Sequence, residues 1–72
     1  MFAWRRTAVR KRVIVNLADK AFEGVLWAQR GPLLVLRDAR LLEAGREPQP
    51  VDGEVVVERP RVEFTQVLPG GG

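Results

Sequence analysis

The stretch Ala21-Phe22-Glu23-Gly24-Val25-Leu26-Trp27 decides the fold. At the two-residue period of an extended chain, Phe22, Leu26 and Ala28 fall on one face with Gly24 between them. Glu23, Val25, Trp27 and Gln29 fall on the other. Glycine weakens a strand interior, so inside a strong strand pattern it marks a bend, a bulge or a close backbone approach. Gly24 is therefore the predicted point where a long strand curves and lets a short sheet close round on itself. The other segments read as strands laid beside this one.

Before it, Val13, Val15 and Leu17 alternate with Ile14 and Asn16, a strand at period two, and Ala18-Asp19-Lys20 supplies a tight connection. After it, Arg30-Gly31-Pro32 breaks the pattern and makes the next turn. Leu33-Leu34-Val35-Leu36 is apolar on both faces, as in a strand covered on each side. Asp38 to Pro50 reads as an irregular polar excursion. Within it, Ala39 to Ala44 is a predicted helical turn ended by Gly45, and Glu47-Pro48-Gln49-Pro50 cannot continue a helix. Asp52-Gly53 is a turn signal. Glu54-Val55-Val56-Val57-Glu58 is a strand with a charge at each end, and Arg59-Pro60-Arg61 is a short turn with 3₁₀ character. Val62, Phe64, Gln66 and Leu68 then alternate with Glu63, Thr65 and Val67 in the last strand. The expected architecture is all-β: a small, five-stranded, strongly bent antiparallel barrel at 13–68. A short basic N-terminal helix or arm at 1–12 precedes it, and a flexible tail at 69–72 follows.

A chain of 72 residues is one small domain, near the lower limit of what folds alone. Such chains often rely on disulfides, a metal or self-association. Cys and His are both absent, which removes disulfides and zinc sites built on thiolate or imidazole, and leaves self-association. Ser and Tyr are absent too, and the only hydroxyls, Thr7 and Thr65, have no neighbouring base, so no nucleophilic triad can form. The pairs Asp19/Glu23, Asp52/Glu54 and Glu58/Glu63 sit at expected solvent-facing positions and read as surface charge. No enzyme, cofactor or metal is expected. No apolar run reaches the ~18–20 residues of a membrane span, and Met1-Phe2-Ala3-Trp4 ahead of the charges has the wrong order for a secretory leader. The expected setting is the cytoplasm, or a virion if the chain is phage-encoded.

The formal net charge is +3, unevenly spread. Arg5, Arg6, Arg10, Lys11 and Arg12 lie in the first twelve residues with no acid among them, while the remainder carries seven basic and nine acidic side chains. A basic arm on a near-neutral body points to an anionic partner, nucleic acid or an acidic protein surface. Phe2 and Trp4 beside this cluster suit base stacking, or packing on the barrel or a neighbouring subunit. Val55-Val56-Val57 is the segment that matters for association. A strongly β-forming edge invites another strand unless guarded, and Glu54 and Glu58 guard only its ends.

These residues resemble the Sm-like proteins, the LSm and Hfq type, whose barrels are related in shape to SH3 domains. The first Sm-type motif is visible as Val13, Val15, Leu17, Asp19, Phe22, Gly24 and Leu26, followed by Leu33-Leu34-Val35-Leu36-Arg37-Asp38-Ala39. The second is visible as Gly53-Glu54-Val55-Val56-Val57, two linking residues, and Val62. The resemblance implies rings built by pairing the fourth strand of one subunit with the fifth of the next. The implied interface comprises Val55, Val56 and Val57 against Val62, Phe64 and Gln66 of a neighbour. RNA-binding members carry an Asp and an Asn after the second strand and an Arg-Gly pair after the fourth. Here those places read Arg30-Gly31-Pro32-Leu33-Leu34 and Glu58-Arg59-Pro60, so the usual uridine pocket is missing, with Arg59 or Arg61 as compensating cations. Lys20 stands where a glycine is expected after Asp19. The phrases Phe22–Trp27, Leu34–Ala39 and Val51–Val57 also resemble small virion-module proteins of tailed phages that infect high-GC Gram-positive bacteria.

The sequence thus predicts a non-enzymatic oligomeric structural or adaptor subunit of a virion or its assembly, partnered by itself and by other virion proteins. The alternative is an Sm-like ring that binds RNA or DNA. Arg5, Arg6, Arg10, Lys11, Arg12, Arg59 and Arg61 are the candidate anion contacts.

Overall fold

A computed structural model describes residues 10–69. The predicted helix or arm and the aromatics Phe2 and Trp4 therefore lie outside the described residues, as do Arg5 and Arg6. The described residues form six strands: β1 (Arg12–Asn16), β2 (Ala21–Arg30), β3 (Leu33–Leu42), β4 (Gln49–Val51), β5 (Val55–Glu58) and β6 (Phe64–Val67). A 3₁₀ turn at Arg59–Arg61, with Pro60 early in it, joins β5 to β6. All pairings are antiparallel, in the order β4-β3-β2-β1-β6. β5 pairs with the first half of β3, Leu33–Leu36, and β4 with its second half, Ala39–Leu41. Sheet pairing begins at Arg12, inside the segment that the sequence assigns to the arm.

The bend falls where glycine predicted it. Glu23 pairs with Arg40 and Val25 with Arg37, so Gly24 alone faces both Asp38 and Ala39. That extra residue on β3 makes a bulge, in which Asp38 has a positive φ (50°). A Cβ on Gly24 would sit 3.0 Å from the Arg37 carbonyl oxygen and 3.1 and 3.2 Å from the Cα and Cβ of Ala39. Close approach, rather than an unusual φ, is what demands glycine here.

The same bulge corrects the reading of Asp38–Pro50. Residues 38–42 continue β3, and Ala39–Ala44 forms no helical turn. The inward residues of β3 are Leu34 and Leu36, then Ala39, so the alternation shifts phase at the bulge. A period-two reading that expects constant phase loses the strand there, and Leu41-Leu42-Glu43-Ala44 by itself suits a helix equally well. β4 was not predicted either. It is short, and Pro50 stands in it where an edge strand tolerates proline.

A compact apolar set fills the bent sheet: Val13, Val15, Leu26, Leu34, Leu36, Ala39 and Val57 are buried, with Leu17, Phe22, Val55 and Val62 packed around them. Alternation along β1 and β2 places these side chains as predicted. Leu33 and Val35, on the other face of β3, are half-buried.

Candidate assembly edge and nucleic-acid interface

β5 and β6 are adjacent in sequence yet do not pair. β5 bonds only to β3 and β6 only to β1, so the ladder stays open between them. The turn residues explain this. Arg59 donates its backbone N–H to the Pro32 carbonyl (2.7 Å), and Glu63 donates to the Asn16 carbonyl (2.8 Å). Each end of the turn is thus fastened to a different part of the sheet, and the two strands are held apart.

Beside the open seam lies a groove of about 390 Å³, with walls of Leu17, Phe22, Leu33 and Val55–Val57 and with Glu58 and Arg61 at its margin. Among the described residues, the three most exposed large apolar side chains are Val56 (55%), Phe64 (56%) and Val67 (53%), all on β5 and β6. An apolar groove, exposed apolar side chains and unpaired backbone make a surface that another strand would complete.

The structure divides the six predicted interface residues. Val56 and Phe64 present their side chains to solvent, whereas Val57 is buried and Val55 and Val62 pack on the core. Gln66 is exposed and accepts a hydrogen bond from Asn16 Nδ2 (3.3 Å). Val57 therefore has mainly its backbone to offer any contact, whereas Val55 and Val62 keep part of their side chains accessible. Val67 belongs with Val56 and Phe64, a placement that alternation from Val62 concealed.

The cations also divide. Arg30, Arg59 and Arg61 are all exposed at one end of the sheet, where the Arg59–Pro32 hydrogen bond joins the β2–β3 turn to the 3₁₀ turn. Glu58 pairs with Arg61 (3.2 Å), which leaves this end with a surplus of positive charge. Arg30 was not among the predicted contacts. It occupies a turn that sequence treats as punctuation, and only the fold brings it beside Arg59. Arg12, by contrast, is held on the sheet by Glu23 (3.7 Å), which also meets Arg40 (3.7 Å). Arg10 lies over the Trp27 ring, its guanidinium carbon 4.4 Å from the centroid. Lys11 offers its backbone carbonyl to the Leu26 N–H (2.8 Å).

No family model matches the sequence, and no curated protein matches it. Solved structures do match. The P. aerophilum SmAP1 heptamer superposes with a TM-score of 0.79 at 28% identity, over 97% of this chain and 95% of that one. The fold is Sm-like. A heptameric archaeal Sm protein, solved with a view to the eukaryotic snRNP core, gives a TM-score of 0.77 at 28% identity over 93% and 98% of the two chains. The Pyrococcus abyssii Sm protein in complex with a uridine heptamer gives 0.77 at 22% identity over 93% and 96%. The Sm-like barrel of this chain therefore spans nearly the whole of each of these structures.

Proposed function

We propose that this chain is a non-enzymatic subunit that joins copies of itself, β5 of one against β6 of the next, into an Sm-like ring, and that the ring binds single-stranded nucleic acid. The open seam is the observation that carries the reading. It leaves apolar side chains and two strand edges uncovered, and a second copy covers both at once. Two of the similar proteins are heptamers and a third was solved with a uridine heptamer, which supports self-association and RNA as the ligand class. In a closed ring, each copy would repeat Arg30, Arg59 and Arg61 around one end and build a field attractive to phosphate. The virion reading has no comparable support, since the similar structures described above are Sm proteins.

Binding of this kind rests on cations and not on a uridine pocket. Glu58 stands where an arginine is expected, and Leu33 and Leu34 supply no polar group for a base edge. A labelled oligouridylate and an oligoadenylate are the ligands to titrate across a salt series. The expected result is affinity that falls linearly on a log–log plot, with a slope of about −0.7 per neutralised phosphate, and no preference for uridine. A tight, uridine-selective, salt-insensitive complex would overturn this ligand assignment. A monomer at high protein concentration would overturn the ring.

A further inference from the structure

We propose that Trp27, flanked by Arg10 and Arg37, is a base-stacking platform for single-stranded nucleic acid on the outer face of the sheet, separate from the Arg30–Arg59–Arg61 end. This rests on the nucleic-acid reading above. Trp27 takes no part in the core; its neighbour Leu26 points inward and is buried. Leu26 pairs with Leu36 and Ala28 with Val35, consecutive residues on β3, so Trp27 is the extra residue of a second bulge. Bulges re-aim side chains, and this one turns a large aromatic ring toward two guanidinium groups, at 4.1 Å for Arg37 and 4.4 Å for Arg10.

The two arginines are held differently. Arg37 is fixed by Glu54, its Nε donating to Oε2 at 2.9 Å. Arg10 is exposed and has no carboxylate partner among the described residues; within that set its side chain rests on the Trp27 ring. A nucleobase can therefore take the place of Arg10 against the indole, because base–aromatic stacking outweighs an exposed cation–π contact. The displaced guanidinium then meets the phosphate of the same nucleotide, while Arg37 stays against the ring. Four arginines, Arg10, Arg12, Arg37 and Arg40, lie on or beside these strands with three acids, Glu23, Asp38 and Glu54, so the local balance stays positive.

The sequence holds two tryptophans, so Trp4→Phe leaves Trp27 as the sole emitter. Its fluorescence is followed during titration with oligoadenylate, and binding is measured separately by anisotropy of a labelled strand. The expected result is quenching that saturates together with anisotropy. Trp27→Leu should weaken binding about tenfold, whereas Trp27→Phe should stay within about threefold because a ring is kept. Arg10→Gln should lower the log–log salt slope by about one phosphate contact. Binding that leaves Trp27 emission unchanged, with Trp27→Leu and Arg10→Gln like the parent, overturns the platform and leaves the nucleic-acid reading standing. Absence of any binding at low salt removes both. Were Trp27→Leu to lose its fold by circular dichroism, the quenching and the Arg10→Gln slope would still decide.

Discussion

Replacing Gly24 with alanine tests the bend directly. The new methyl would stand 3.0 Å from a backbone oxygen and 3.1 Å from a backbone Cα. Neither atom can rotate aside, because both belong to β3 where it bulges around Gly24. Overpacking of this kind costs about 1–3 kcal/mol. The alanine recovers about 0.5–1 kcal/mol by restricting the unfolded chain. The net loss is about 1–2 kcal/mol, out of roughly 4–10 kcal/mol expected for a chain of this length. At about 4–8 °C per kcal/mol for a domain of this size, the melting temperature should fall by roughly 5–15 °C. The assay is thermal unfolding followed by far-ultraviolet circular dichroism, with wild type and variant at one protein concentration, since assembly contributes to apparent stability. A melting temperature equal to or above that of wild type would show that the close approach at Gly24 does not constrain the sheet.

Two further perturbations separate assembly from ligand binding. Val56→Lys places a charge on the exposed side of the seam, and size exclusion with light scattering should show the assembly reduced to monomers; an unchanged mass would mean that the contact lies elsewhere. Glu58→Gln removes the carboxylate that pairs with Arg61 at the Arg30–Arg59–Arg61 end. Oligonucleotide affinity at low salt should rise about two- to fivefold, the effect of roughly 0.5–1 kcal/mol for one exposed charge, and equal or weaker binding would place the ligand away from that end.

Much of this fold was legible because its strongest signals are local. Val13 and Val15 alternate with half-buried neighbours, Arg30-Gly31-Pro32 cannot continue a strand, and Gly24 interrupts a pattern that otherwise favours bulk. Each of these reports on backbone geometry within a few residues. Residues 38–42 were misread because a bulge shifts the alternation by one, and the residue that forces the shift, Gly24, lies on the other strand. Trp27 was legible as an outward residue and illegible as part of a cluster. Arg10 and Arg37 reach it from positions 17 residues before and 10 after along the chain. Arg30 and Arg59 share an end of the sheet because β5 pairs with the start of β3 at Leu33 and Glu58, and the Arg59–Pro32 hydrogen bond ties their turns together.

The amino-acid sequence by itself determined that this chain is all-β, bends at Gly24, and has neither the thiols nor the imidazoles with which small domains are often stapled. Those properties follow from side-chain volume, backbone freedom and residue chemistry, which act at short range. Only the tertiary structure decided which valines remain exposed, where the sheet stays open, and which cations converge. These depend on pairings between residues far apart in the chain, and the register of those pairings is set by two bulges whose effect appears only when the strands lie side by side.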